Sequence, residues 1–240
     1  MHMQAQVSLA RKVCEINWVQ LTEDQFALLM RFVTLVQDAN VKVNLVSRKD
    51  IENILIGHVL HSLSLLFLFE IPYGAVILDL GSGGGFPGIP LSIVREDLKF
   101  TLLDSVAKKT SVLGGIVADT GLTNAIVLTG RAEALEEQLS GQFDIVLARG
   151  VAPLGDLIRW CRPLLARRVQ SHAQPGTCSN KMGRTLNLPC LLAFKGGDLE
   201  DEIADARMKT GRRTITEVDL VYPGVEDLGL EDKKIVVVEF

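Results

Sequence analysis

After Pro72 the chain changes rhythm. AVILDL leads into a glycine-rich loop and a helical stretch, KFTLLD into SVAKKTSVLGGIVADT, NAIVLT into GRAEALEEQL, and FDIVLA into a further helical segment. Short runs that are apolar throughout have no polar face to turn to water, so each such strand needs cover on both sides, and helical crossovers join parallel neighbours. The rhythm predicts an α/β fold built on a doubly wound, mostly parallel sheet. PCLLAFK and GDLEDEIADARM supply a fifth strand with its helix, and TITEVDLVY with KKIVVVEF reads as a closing hairpin that gives the sheet an antiparallel edge strand.

Upstream the period is helical. Phe26, Leu29, Met30, Val33 and Val36 share one face, and Thr22 with Gln25 forms a capping box. A second helix is expected from an N-cap at Asp50 through Ile54, Leu55 and Leu63 until Pro72 stops it. Residues 1–72 are therefore expected as a helical N-terminal extension to a domain spanning 73–240.

With 240 residues, 48% of them hydrophobic and 22% charged, the chain can bury one large core, or one core and a small accessory unit. The longest apolar run, Leu65 to Phe69, is far shorter than the roughly 20 residues of a membrane span, and the N-terminus has no signal pattern. A cytoplasmic protein with no membrane partner is expected. Cysteines 14, 161, 178 and 190 form no C-x-x-C pair and read as reduced thiols. Cys161, His172, Cys178 and Cys190 match no familiar zinc spacing, so no metal is expected. The net charge of −4 gives no overall pull on a polyanion, although basic residues are unevenly spread.

In a doubly wound sheet the ligand lies beyond the carboxyl ends of the strands, where the strand order reverses. Gly81 to Gly88 is the loop at that place. Gly83-x-Gly85-x-x-Gly88 fits the dinucleotide fingerprint, but one such match does not choose the ligand. Asp79, two residues before Gly81, would repel a pyrophosphate and suit a positively charged ligand. S-adenosyl-L-methionine carries a sulfonium and an ammonium. Asp104 ends the second strand, where an acid accepts hydrogen bonds from ribose hydroxyls in either cofactor class. Strand-end capping is the plainer alternative for both acids.

NLVSRKD near Asn44, HVLHS at His58, LDLGSGGGFPGIPLSIV, TLLDSVAKK, GRAE at Gly130, FDIVLARGVAPL and FKG at Lys195 together resemble the RsmG (GidB) family over nearly the whole chain. Members of that family methylate N7 of a guanine in the 530-loop region of 16S ribosomal RNA. The resemblance implies a class I, Rossmann-like methyltransferase that uses S-adenosyl-L-methionine on 16S ribosomal RNA or a small ribosomal subunit precursor. It implies cofactor contacts at Gly81, Phe86, Ala132, Glu133 and Arg149, and it places Asn44, His58, Arg149 and Lys195 around the guanine as positioning groups. Guanine N7 has a free lone pair and loses no proton when methylated, so no general base is expected. Arg149 could hold the cofactor carboxylate or an RNA phosphate, or it could form a structural ion pair with Asp79 or Asp104. His58 reads equally as a histidine that anchors the helical segment.

The chain departs from the family at three places. Gly57 and His61 stand where the family has an arginine and an aspartate, Lys233 and Lys234 where an arginine is expected. Residues 166–189 replace a short turn and carry Arg167, Arg168, Lys181 and Arg184 without an acid, as either a surface insertion or an RNA-facing loop. The alternatives that remain are another class I methyltransferase and a cofactor-binding module without catalysis. The sequence sets no oligomeric state.

Overall fold

The computed structural model describes residues 3–47, 49–166, 183–211 and 213–240. Arg167, Arg168 and Lys181 of the basic stretch, together with His172 and Cys178, lie outside the described residues.

Helix α1 (Met3–Ile16) and α2 (Glu23–Asn40) open the chain. The capping box at Thr22 is complete: its hydroxyl accepts the Gln25 backbone N–H at 3.1 Å, and the Gln25 side chain accepts the Thr22 N–H at 3.1 Å. The face of α2 that is buried carries Phe26, Leu29, Phe32, Val33 and Val36. The expected single helix from Asp50 to Pro72 is corrected by the structure. Asp50 makes no side-chain cap, because its carboxylate accepts the Ser47 hydroxyl at 2.6 Å. The segment then splits into a 3₁₀ turn (Ile51–Asn53), a π-helical stretch (Leu55–Leu60) and α3 (His61–Leu68). It ends four residues before Pro72, where Phe69–Glu70 becomes extended and pairs in parallel with Arg184–Thr185.

Seven strands form the main sheet: β1 (Val76–Leu80), β2 (Lys99–Asp104), β3 (Ala125–Thr129), β4 (Ile145–Arg149), β5 (Cys190–Gly196), β6 (Ile215–Asp219) and β7 (Lys233–Glu239). Their spatial order is β3-β2-β1-β4-β5-β7-β6. The first five are parallel to their neighbours, whereas β7 is antiparallel to both β5 and β6. The antiparallel strand thus stands one in from the edge. Crossovers run through α4 (Gly88–Val94), α5 (Ala107–Thr120), α6 (Leu154–Cys161) and α7 (Glu200–Thr210).

Alternation along the strands divides the core into two layers. Ile77, Phe100, Leu102, Leu147, Leu192 and Ile235 face one side, where they share a cluster with Phe32 of α2 and Leu63 of α3. Leu78, Leu80, Val146, Leu191 and Val236 face the other, against Leu157 of α6 and Ala206 of α7. The N-terminal helices therefore cover one face of the sheet, as crossover helices do elsewhere in such folds. Order reverses between β1 and β4, so the loops after these strands meet at their carboxyl ends. No helix among the described residues is long and apolar enough to cross a membrane.

Candidate active site

The loop after β1 is held from below by two aspartates. Asp79, completely buried, accepts the Gly88 N–H on Oδ2 at 2.9 Å. A Cβ at residue 88 would lie 2.7 Å from that oxygen and would also collide with Leu102, so only glycine lets α4 begin this close to the sheet. Oδ1 of Asp79 has no hydrogen-bond partner among the described residues. Burial pushes the carboxyl up to about 7, against the pull of the Gly88 N–H and Arg149, with Asp104 adding a further upward push. Asp104 accepts the Gly83 N–H on one oxygen and the Val106 N–H on the other, both at 2.9 Å. Its carbonyl accepts the Gly130 N–H at 3.0 Å. One residue thereby aligns the loops after β1 and β2 with its side chain and the loop after β3 with its main chain.

These loops enclose a cavity of about 500 Å³. Gly81, Gly83, Phe86, Asp104, Ala132, Glu133, Arg149 and His58 all border it. At Gly81 φ is +72°, and an added Cβ would lie 2.6 Å from Val151, a residue of the loop after β4 that forms the opposite wall. The donor set fits an adenosyl cofactor: an acid with free lone pairs at the end of β2, the apolar surface of Phe86, Leu103 and Ala132, and a loop without side chains between them.

Arg149, at the end of β4, forms the far limit of this cavity. One guanidinium nitrogen donates to the Gly57 carbonyl at 3.0 Å and lies 3.0 Å from His58 Nδ1, and the other reaches the His58 carbonyl at 3.5 Å. The His58 carbonyl is shared, since it also accepts the Ser62 hydroxyl at 2.6 Å. Among the described residues Arg149 forms no ion pair with Asp79 or Asp104 within 4 Å. Burial pulls Arg149 down to about 10, opposed by Asp79 and Asp50, so it stays charged at neutral pH. Burial and the Arg149 charge pull His58 down to about 4, with Asp50 opposing, so the imidazole is neutral. Since Nδ1 faces an arginine that can only donate, the proton sits on Nε2, which lies 4.0 Å from Asp50. The His58 ring packs on Phe86 with centroids 5.0 Å apart.

Beyond Arg149 and His58, which border both spaces, lies a second cavity of about 420 Å³. Asp50, His61, Phe194, Lys195 and Lys233 contribute to its wall. With Lys195 paired to Glu202, Arg149 and Lys233 against Asp50 leave it a basic compartment beside the first.

The other residues expected at the site are placed differently. Gly85, with φ +89°, faces Ile89 and Leu113 on the core side of the loop, and Asp79 lies beneath the loop and does not border the cavity. Lys195 borders the second cavity, but its ammonium is occupied by Glu202 at 2.6 Å and the Ala152 carbonyl at 3.0 Å. The same Glu202 oxygen accepts the Leu154 N–H at 2.7 Å, so the pair clamps the loop after β4 to α7. Asn44 is exposed and lines a separate cleft with Asn40 and Lys42. Asn40 turns it outward by accepting the N–H groups of Leu45 and Val46, which brings Leu45 to the cofactor-side cavity instead. Sequence reasoning did not single out Leu45, Lys109, Arg131, Val151 or Trp160 of the first cavity. Asp50 was expected as a helix N-cap and His61 as a departure from the family, and the structure brings both to the second cavity with His58.

Residues 25–182 match the family model GidB, described as rRNA small subunit methyltransferase G. The chain is similar to the ribosomal RNA small subunit methyltransferase G of Chlorobaculum tepidum, at 33% identity over 237 residues that cover 98% of this chain and 99% of that protein. Its similarity to the protein of that name from Phocaeicola vulgatus is 40% over 194 residues, covering 81% and 83%. For one from Bacteroides fragilis it is 39% over 197 residues, covering 82% and 87%.

Proposed function

The chain belongs to the GidB family, that of rRNA small subunit methyltransferase G, and from that premise we propose that it transfers a methyl group from S-adenosylmethionine to N7 of a guanine in the 530-loop region of 16S ribosomal RNA. The observation that carries this reading is the junction of two cavities at Arg149 and His58, one walled by glycine-loop backbone and the other basic. A cofactor in the first and a nucleotide in the second would meet across these two side chains. The bound cofactor supplies an activated methyl group on a sulfonium.

Everything else asked of the protein is placement and electrostatics. Asp104 would hold the ribose, Gly81 and Gly83 admit the amino-acid end close to the backbone, and Phe86 and Ala132 border the adenosine. Glu133, exposed at the rim, is available to its outer edge. Asp79, beneath the loop, supplies a counter-charge through its ionised fraction. Arg149 and the Nε2–H of His58 are donors, suited to guanine O6, which leaves the N7 lone pair free. Neither acts as a base: burial and the Arg149 charge keep His58 neutral, its bare Nδ1 faces the Arg149 guanidinium, and the reaction releases no proton from N7. The chemistry calls for no metal. Residues 1–72 act as a helical extension that presents His58 to the 73–240 domain, and the protein works in the cytoplasm on ribosomal RNA or a small-subunit precursor.

Transfer of labelled methyl to unmodified 16S RNA or small subunits, followed by nucleoside analysis, tests this reading. The expected product is 7-methylguanosine, formed at a single-turnover rate that, with cofactor saturating so that Asp79 ionisation does not limit binding, changes little from neutral to mildly alkaline pH. Another methylated nucleoside, or a steep rise with one ionisation, would overturn it.

A further inference from the structure

At the wall of the second cavity His61 holds a buried polar atom that the proposed reaction leaves unused. His61 is 4% exposed, and its ring stands edge-on to Phe194 with centroids 5.2 Å apart. One ring nitrogen is satisfied by the Gly57 backbone, whereas Nε2 is buried and has no hydrogen-bond partner among the described residues. Burial, with Arg149, Lys233 and His58 nearby, holds the imidazole well below its ordinary range and therefore neutral. A ring that donates from Nδ1 to a carbonyl presents a bare lone pair at Nε2. Leaving such an acceptor unpaired in a protein interior is costly, and a native structure that keeps one calls for an explanation.

The two histidines give the cavity a polarity. At the boundary with the cofactor side stand donors, His58 Nε2–H and Arg149; at His61 stands an acceptor. Guanine has the matching pattern, with acceptors N7 and O6 along one edge and donors N1–H and the 2-amino group along the other. Adenine puts an amino donor beside N7, where it would meet the donors at Arg149 and His58. Resting on the proposed reaction, we propose that His61 is a specificity-determining residue, whose Nε2 accepts a hydrogen bond from the 2-amino group of the target guanine, the donor farthest from N7. His61 contributes to the cavity wall and its Nε2 is buried, so the contact requires the imidazole to turn toward the base. Phe194 supports the ring on the other side.

The experiment compares 16S transcripts carrying guanosine or inosine at the nucleotide the wild-type protein methylates, since inosine keeps N7, O6 and N1–H and lacks only the 2-amino group. Wild type should use inosine with a kcat/KM lower by about tenfold or more, the discrimination a buried acceptor left unpaired provides. In His61→Phe, which keeps a ring against Phe194 and deletes the lone pair, activity on guanosine should fall about tenfold and the guanosine-to-inosine ratio should approach one. Binding of S-adenosylhomocysteine should be unchanged. His61→Gln, with a carbonyl acceptor, should retain part of the discrimination. Equal use of the two transcripts by wild type overturns the proposal without any variant, as does a ratio preserved in a folded His61→Phe. Failure of wild type to methylate guanine N7 at all would instead defeat the reading of the reaction on which this one rests.

Discussion

The two walls that meet at Arg149 are built from different material. On the cofactor side the wall is main chain, with the N–H groups of Gly83, Val106 and Gly88 tied to Asp104 and Asp79. On the far side it is side chains, with His58 and His61 from the helical segment, Arg149 and Lys195 from the sheet, and Lys233 from the closing strand. At Gly81 and Gly88 the main-chain wall leaves no room for an added Cβ, whereas a wall of side chains can change its chemistry while the fold stays intact. Damage to the first should therefore cost stability and cofactor binding together, and damage to the second should cost methyl transfer.

The largest effect is expected from Gly88→Ala, which forces a methyl against Asp79 and Leu102. Stability should fall by about 3 kcal/mol in urea unfolding, and binding of S-adenosylhomocysteine should be lost. A wild-type unfolding midpoint would break the contrast. Next comes Arg149→Met, where kcat/KM for methyl transfer should drop about 100-fold through misplacement of the base, with a smaller rise in cofactor KM. An effect confined to the cofactor KM would assign Arg149 to the main-chain wall alone.

Asp79→Asn sharpens the comparison in a different way. The folded carboxyl titrates near 7, above its ordinary value of 3.8, so the folded state binds the extra proton and stability falls as pH rises from about 4 through 7. The depressed imidazoles of His58 and His61 give the opposite slope at acid pH, so the informative quantity is the difference between variant and wild type. Asparagine keeps an oxygen for the Gly88 N–H and removes the buried charge. The variant should gain on the order of 2 kcal/mol over wild type at pH 8 and much less at pH 4. It should also bind S-adenosylmethionine more weakly at pH 8. Equal gains at both pH values would show that Asp79 is not titrating. The smallest effect belongs to Lys195→Met: loss of about 1 kcal/mol in stability, with methyl transfer reduced less than tenfold, because the lysine holds a loop instead of touching the base.

What the sequence revealed follows the same division. The sheet, the capping box at Thr22 and the glycine loop are written in local periods and in glycines at a strand end, where one short window contains the whole cause. Asp104 was found for a related reason, since strand ends in this fold converge on one place. The break in the Asp50–Pro72 helix was not legible: it depends on Ser47 taking the Asp50 carboxylate and on Arg149, far along the chain, taking the Gly57 and His58 carbonyls. The direction of Asn44 depended on Asn40, and the occupation of Lys195 on Glu202, which stands on another element. Residue type named these groups, and only tertiary contacts decided where they point.

Phe86 carries the glycine loop into contact with the helical layer. Its ring lies 5.1 Å from that of Phe32 in α2 and 5.0 Å from His58, so the loop that receives the cofactor is wedged into the helical layer. Neither the N-terminal helices nor the sheet can melt while the other stays intact without exposing this aromatic contact. Scanning calorimetry should accordingly record a single heat-absorption peak, with calorimetric and van't Hoff enthalpies in agreement, and the cofactor should shift that peak as a whole instead of splitting it.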